Sequence, residues 1–254
     1  MIELRRVEDL TVVTLSAGKA NALEGPLLDA LTHAIDTALA DGARALIVTG
    51  DGNSFSGGLA LPALIDFDRD QLRALMATFT TAMRRILEAP VPVVAAINGN
   101  AIAGGCVIAL MCDERIMVGA GPKGPPKIGL NESQLGIGLP PIVTEVVRMK
   151  LRAQAFVPVA LEGRLFAPDE ARGLGLVDDV VAPDQLQSRV LARAAALTTA
   201  APLAYAQIKR LMLAPTLEAV TRLGAAETER WLDTWFSVEG QRRLRDAVAR
   251  IIRR

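Results

Sequence analysis

Apolar positions along this chain recur at two spacings, and the two alternate in a regular order. At the start, "IELRRV" and "TVVTLS" flank the turn residues Glu8–Leu10, and the β-branched residues of the second segment predict a hairpin. From about Glu24 to Ala40, Leu27, Leu28, Leu31, Ile35 and Leu39 fall at helical spacing, and Asp41–Gly42 closes that helix. "RALIVTG" (Arg44–Gly50) is a short, unbroken apolar run, as expected of a parallel strand buried on both faces. A second helical stretch covers Asp70 to Glu88 and stops at Pro90 and Pro92. "VPVVAAING" (Val91–Gly99) predicts another buried strand, about Gly104 to Met111 a helix, and "DERIMVG" a strand. Strand, helix, strand, helix, strand joined by short turns is an α/β pattern.

Beyond this point the pattern changes. The Gly/Pro-rich stretch Gly119–Gly129 reads as a loop, and "LPP" (Leu139–Pro141) opens a helix. "FAPDEARGLGLVDDVV" predicts a short helix closed by glycine, then a strand, and "VAPDQL" a helix with Asp184 near its cap. From there to Arg254 the chain is rich in Ala, Leu and Arg, without a strand signal, with breaks expected near Pro202, Pro215 and Gly240. This predicts a core over 1–195 and a helical region over 196–254. No short-period repeat is visible.

Composition narrows the function. With 254 residues, 51% of them hydrophobic, the chain can bury a substantial core. Basic and acidic residues balance at 28 each, which argues against a nucleic-acid or membrane-surface partner. The C-terminal "GQRRLRDAVARIIRR" is locally basic, as a solvated helix face or an attractor of a phosphate-bearing ligand would be. Cys106 and Cys112 lie six residues apart in one apolar segment, too far to bridge on a helix. Reduced thiols there fit a cytoplasmic protein, and no His or Cys-x-x-Cys partner suggests a metal. The charged start has no apolar signal core, and no apolar run approaches the ~18 residues of a spanning helix. His33, the one histidine, lies on the first helix, so no Ser–His–Asp arrangement can be built around it.

The chemistry concentrates in two glycine-rich turns, "FSGGLAL" (Phe55–Leu61) and "NGNAIAGGCVIALMCD" (Asn98–Asp113), each at the mouth of an apolar helix. Such turns leave backbone N–H groups unpaired and admit a ligand closely. Two converging donors are what a carbonyl needs to become an oxyanion. Glu132, among the apolar Leu130, Leu135 and Ile137, has surroundings that raise a carboxyl pKa toward neutrality.

"KANAL", "RALIVTGDGNSFSGG", "PVVAAINGNAIAGGCVIALMCDERI", "IGLNESQLGI" and "ARGLGLVDDVV", in this order, resemble the crotonase (enoyl-CoA hydratase/isomerase) superfamily over essentially the whole chain. "FSGGL", "AGGCVIALMCD" and above all "IGLNESQLGI" look most like the mitochondrial-type Δ3,Δ2-enoyl-CoA isomerases. The resemblance implies a spiral of strand–strand–helix turns and a helical C-terminal region that builds a trimer, often paired into a hexamer. It implies an acyl-CoA substrate, a place in fatty-acid β-oxidation, and no cofactor beyond the coenzyme A of the substrate itself. The oxyanion hole maps onto the N–H groups of Leu59 and Gly104, and one acid–base position onto Glu132. The second carboxylate, which hydratases use, falls on Val107. That loss favours a double-bond shift, which needs one proton shuttle, over hydration, in which two carboxylates hold the water. The alternatives are a hydratase-, hydrolase- or decarboxylase-like member, or a non-catalytic acyl-CoA-binding one. The dehalogenase nucleophile is disfavoured, since "GLPPIV" holds no carboxylate before Glu145.

By the same resemblance, coenzyme A lies along Lys19, Ala20, Ala22, Ser56, Gly58 and Ala60, with Lys209 near it. The acyl tail lies among Leu61, Leu64 and "GIGLPP". Trp231, Trp235 and Phe236 fall at helical spacing and read as core or subunit-interface packing. The chain departs from the family at Ala60, where relatives commonly carry Asp, and at Gly57, where they carry Ala.

Overall fold

The computed structural model describes residues 1–18, 20–122 and 124–253. The predicted hairpin is β1 (Ile2–Val7) antiparallel to β2 (Leu10–Leu15), so Leu10 begins the second strand rather than ending the turn. Glu8, in the turn, has φ 55°. The helix α1 (Gly25–Ala40) buries Leu27, Leu28, Leu31 and Ile35, as their spacing demands. Then β3 (Ala45–Gly50) pairs parallel with β2.

From β3 onward the chain winds as a spiral. A short strand, β4 (Ser54–Ser56), a single turn, α2 (Leu61–Leu64), and a long helix, α3 (Arg69–Leu87), follow β3. The next turn of the spiral is β5 (Val93–Ile97), β6 (Asn100–Ile102) and α4 (Gly104–Met111). The next is β7 (Glu114–Val118), β8 (Ile128–Gly129) and α5 (Pro141–Lys150). The first strands of these turns stack in one sheet and the second strands in another. The larger sheet, completed by β9 (Asp179–Val181), runs β1-β2-β3-β5-β7-β9, parallel from β2 on. The smaller sheet is β4-β6-β8, also parallel. This is the spiral of strand–strand–helix turns that the resemblance implies. The short second strands were hidden in sequence because two or three residues carry no periodicity, and β8 lies inside the stretch that reads as loop.

Core packing follows the apolar runs. All five residues of β5 and all eight of α4 are buried, so α4 is apolar on every side because it has no solvent face. Among the described residues, no helix is long and apolar enough to cross a membrane.

The helix α6 (Pro168–Leu174) ends at Gly175 with φ 82°, the left-handed glycine cap its sequence predicts. Asp184 lies in a 3-10 turn ahead of α7 (Leu186–Leu197), whose N-cap is Gln185, so Asp184 does not cap it. Past residues 198–201 comes α8 (Pro202–Phe236), a single helix that continues through Pro215. Proline there removes one backbone donor at a cost of about 3 kcal/mol. Packing of α8 on α5 and α3, with Leu213 and Val220 buried on either side of Pro215, holds the helix together. The break expected near Gly240 lies three residues earlier. The chain turns at Ser237, whose side chain caps α9 (Val238–Ile252) by accepting from the Gly240 N–H.

Candidate active site

Two backbone turns meet at the start of α4. Gly58 has φ 82°, and a Cβ built on it would lie 2.9 Å from the Gly104 nitrogen and 2.8 Å from the Ile102 oxygen. A Cβ on Gly104 would fall 2.8 Å from Leu23 Cδ1 and 3.6 Å from the Leu59 nitrogen. Only glycine lets the backbone segments approach this closely. Among the described residues, neither the Leu59 N–H nor the Gly104 N–H donates to a protein acceptor. Gly104 opens α4, so its N–H also carries the positive end of a helix dipole. Just before it, Ala103 adopts φ 50° and ψ −119°, a strained conformation for a residue with a Cβ.

The "KANAL" segment frames the first turn. Ala20 and Asn21 have φ 66° and 49°. Buried Asn21 is the organiser that sequence reasoning missed. Its amide donates to the carbonyls of Asp51 and Ser54, at 3.0 and 2.9 Å, while its Oδ1 accepts from Ala17 N. The Ser56 hydroxyl donates to the Asn21 carbonyl and accepts from Gly58 N, so it is spent on holding the turn. Gly57 N donates to Ala20 O, Leu23 N to Gly58 O, and Ala60 N to Leu23 O. Ala20, Ser56, Gly58 and Ala60 are thus laced into one frame around Leu59, with Ala22 half-buried between them. Lys19 lies outside the described residues. A signal for Asn21 did exist in sequence: Asn tolerates positive φ better than other residues with a Cβ.

Glu132 follows β8, whose end is tied to the start of α4. Ala103 N donates to Gly129 O at 2.9 Å, which ties the end of β8 to the residue before Gly104. Three residues later Glu132 enters a 3-10 turn (Ser133–Leu135). Its carbonyl accepts from Leu135 N and Ile137 N at 2.9 and 3.1 Å. Glu132 is 9% exposed, and among the described residues its Oε2 has no hydrogen-bond partner. Burial pushes its pKa from 4.5 up to about 7, opposed by its own backbone N–H, and no second carboxylate contributes. Cys106, on the first turn of α4, lies close enough for the Glu132 charge to help burial hold its thiol protonated. Val107 is 1% exposed and sits in the main core.

The far end of α4 is a different place. There the Lys209 ammonium donates to Asp113 at 2.7 Å, and Asp113 also accepts from Tyr205 and from Val93 N. Lys209 therefore closes a structural ion pair and is not brought together with the glycine turns. Leu61 and Leu64 are buried on α2 beside the Leu59 turn. Trp231 and Trp235 are buried with ring centroids 5.6 Å apart, while Phe236 is 38% exposed.

Two unpartnered backbone donors in a glycine cradle are the groups that stabilise an enolate oxygen, and a buried carboxyl of near-neutral pKa is one that moves a proton. A family model described as enoyl-CoA hydratase/isomerase matches residues 5–242. The crystal structure of human mitochondrial Δ3-Δ2-enoyl-CoA isomerase superposes with a TM-score of 0.93 at 26% identity, covering 99% of this chain and 98% of that one. In sequence, human mitochondrial enoyl-CoA delta isomerase 1 is 34% identical over 151 residues, 58% of this chain and 48% of its own length. The short-chain-enoyl-CoA hydratase of Clostridium acetobutylicum is 30% identical over 204 residues, 79% of this chain and 76% of its own.

Proposed function

This chain belongs to the enoyl-CoA hydratase/isomerase family of the crotonase superfamily, and within it we propose that it is a Δ3,Δ2-enoyl-CoA isomerase. The single observation that carries the reading is Glu132: one buried carboxyl with an unpartnered oxygen and, among the described residues, no second carboxylate that shifts its pKa. Hydration needs a water activated toward C3 and a proton delivered to C2. Shifting a double bond from C3–C4 to C2–C3 needs one group that takes a proton and gives it back. A buried valine at 107 suits the second chemistry, because it offers water no partner.

In this reading the thioester oxygen accepts from the N–H groups of Leu59 and Gly104. Glu132, ionised, removes a proton from C2. The electron pair spreads through the carbonyl and the C3–C4 bond as a dienolate, and the two N–H groups stabilise its oxygen. Glu132, now protonated, returns the proton to C4, and the product is the conjugated 2-enoyl thioester. Each N–H donor contributes about 3–4 kcal/mol to the barrier reduction, since it is aimed where charge develops. Coenzyme A runs along Lys19, Ala20, Ala22, Ser56, Gly58 and Ala60, held mainly by backbone, and no resident cofactor is required. The working form is a trimer or a hexamer in the cytoplasm, serving β-oxidation of unsaturated acyl chains, with 196–254 as the assembly region.

The test is to incubate the protein with a 3-enoyl-CoA and follow absorbance of the conjugated thioester. Turnover is expected, and Glu132→Gln should lower kcat by about 10²–10⁴-fold. Hydration of crotonyl-CoA without isomerisation overturns the assignment.

A further inference from the structure

One turn of α8 grips the loop that carries Glu132. The Trp231 indole N–H donates to the Gly138 carbonyl at 2.9 Å, and the Gly138 N–H donates to the Thr234 hydroxyl oxygen, also at 2.9 Å. The Thr234 hydroxyl donates back to the Trp231 carbonyl at 2.7 Å, which fixes its rotor so that a lone pair faces Gly138. Both polar groups of the Gly138 backbone are thereby held by side chains three residues apart on α8. The neighbouring residue, Ile137, donates its N–H to the Glu132 carbonyl. At Gly136 the loop passes so close to α9 that a Cβ would lie 3.1 Å from both Gly240 Cα and Arg243 Cδ. Arg243 donates to the Gln134 carbonyl at 3.2 Å. On its other side Glu132 follows β8, and Gln134 in the same loop also donates to the Glu162 carbonyl.

We propose that Trp231 and Thr234 are positioning residues, clasping Gly138 so that the Glu132 carboxyl stays buried and aimed at the oxyanion pair. The inference rests on the reading of Glu132 as the proton shuttle. Its physical basis is leverage: Glu132 owes its near-neutral pKa to burial, and burial depends on how tightly the 132–138 loop is pressed down. Among the described residues, the titratable group facing the carboxyl is Cys106 on α4, itself protonated, so loop position is the variable that sets solvation.

Thr234→Val keeps shape and removes the acceptor for Gly138, Thr234→Ser keeps the acceptor, and Trp231→Phe removes only the indole donor. Two readouts are needed: kcat and KM for a 3-enoyl-CoA, and the titration midpoint of Glu132 by carbon-13 NMR of carboxyl-labelled protein without substrate, assigned with Glu132→Gln. Thr234→Val is expected to lower kcat about tenfold, the worth of one buried hydrogen bond, with KM changed less than about twofold. The Glu132 midpoint should fall toward the ordinary carboxyl range as water enters, and Thr234→Ser should restore both. If Thr234→Val does not fold, Trp231→Phe carries the same expectations. An unmoved midpoint, whatever happens to kcat, overturns the clasp, and so does failure of Thr234→Ser to restore. If the wild-type protein does not isomerise 3-enoyl-CoA, the functional reading fails, while the midpoint, measured without substrate, still decides the clasp.

Discussion

Gly58 and Gly104 touch backbone to backbone: a methyl group on Gly58 would sit 2.9 Å from the Gly104 nitrogen. The approach brings the Leu59 and Gly104 N–H groups to one place. Gly58→Ala would force the turns apart, and φ 82° adds its own strain to any residue with a Cβ. Loss of one aimed donor lowers kcat by about 10²–10³-fold. The expected outcome is a folded protein with kcat reduced by that factor, checked by steady-state kinetics beside circular dichroism. Near-normal kcat would show that the two donors do not act together.

Asn21 supports the same place from behind. Its side chain satisfies buried carbonyls at Asp51 and Ser54 and the N–H of Ala17, so Asn21→Ala leaves those groups without partners. Each buried group left unpaired costs about 1–3 kcal/mol, with water recovering part of it. A loss of about 2–4 kcal/mol in urea unfolding is expected, with a rise in KM because the proposed coenzyme A contacts sit on this loop. An unchanged denaturation midpoint would remove Asn21 from the list of organisers.

These two residues show where sequence reading works and where it stops. The strands Ala45–Gly50 and Val93–Ile97 and the helices α1, α3 and α4 were legible because burial imposes runs and periods. The three-stranded second sheet was not, because strands of two or three residues leave no pattern. The start of α3 could have been placed better: Asp68 and Gln71 form a capping box, a readable signal two residues ahead of Asp70. Pro215 misled because local propensity gave way to packing against α5 and α3. Glu132 drew notice through the resemblance of "IGLNESQLGI", with its apolar neighbours in support, but its orphaned oxygen depends on how the chain folds around it, and the frame around Asn21 on atoms thirty or more residues apart.

Lys209 gives a prediction of the opposite kind. Its ammonium is bound to Asp113 at 2.7 Å, with side chains 9% and 23% exposed. Lys209→Met leaves Asp113 with the Tyr205 hydroxyl and Val93 N–H as partners but without its counter-charge. A stability loss of about 1–3 kcal/mol is expected, at the lower end for a partly wetted pair, with KM for acyl-CoA unchanged. A KM rise of tenfold or more at unaltered stability would return Lys209 to the coenzyme A site.

The last prediction links activity to stability through Glu132. Folded, the carboxyl holds its proton up to about pH 7; unfolded, it releases it near 4.5. The native state therefore binds more protons between these values, and stability must fall as pH rises through that window. The contribution is whole below about pH 4.5 and lost above about pH 7, a change on the order of 3 kcal/mol. Glu132→Gln cannot ionise, so its stability relative to wild type should climb across this window and level off by about pH 8. Over the same range wild-type kcat/KM should rise to a plateau, because the ionised carboxylate is the base in the proposed mechanism, while the Gln variant shows no such limb. Parallel pH–stability curves for the two proteins would mean that the folded environment does not hold the proton, and that the shuttle must draw its basicity from the bound thioester instead.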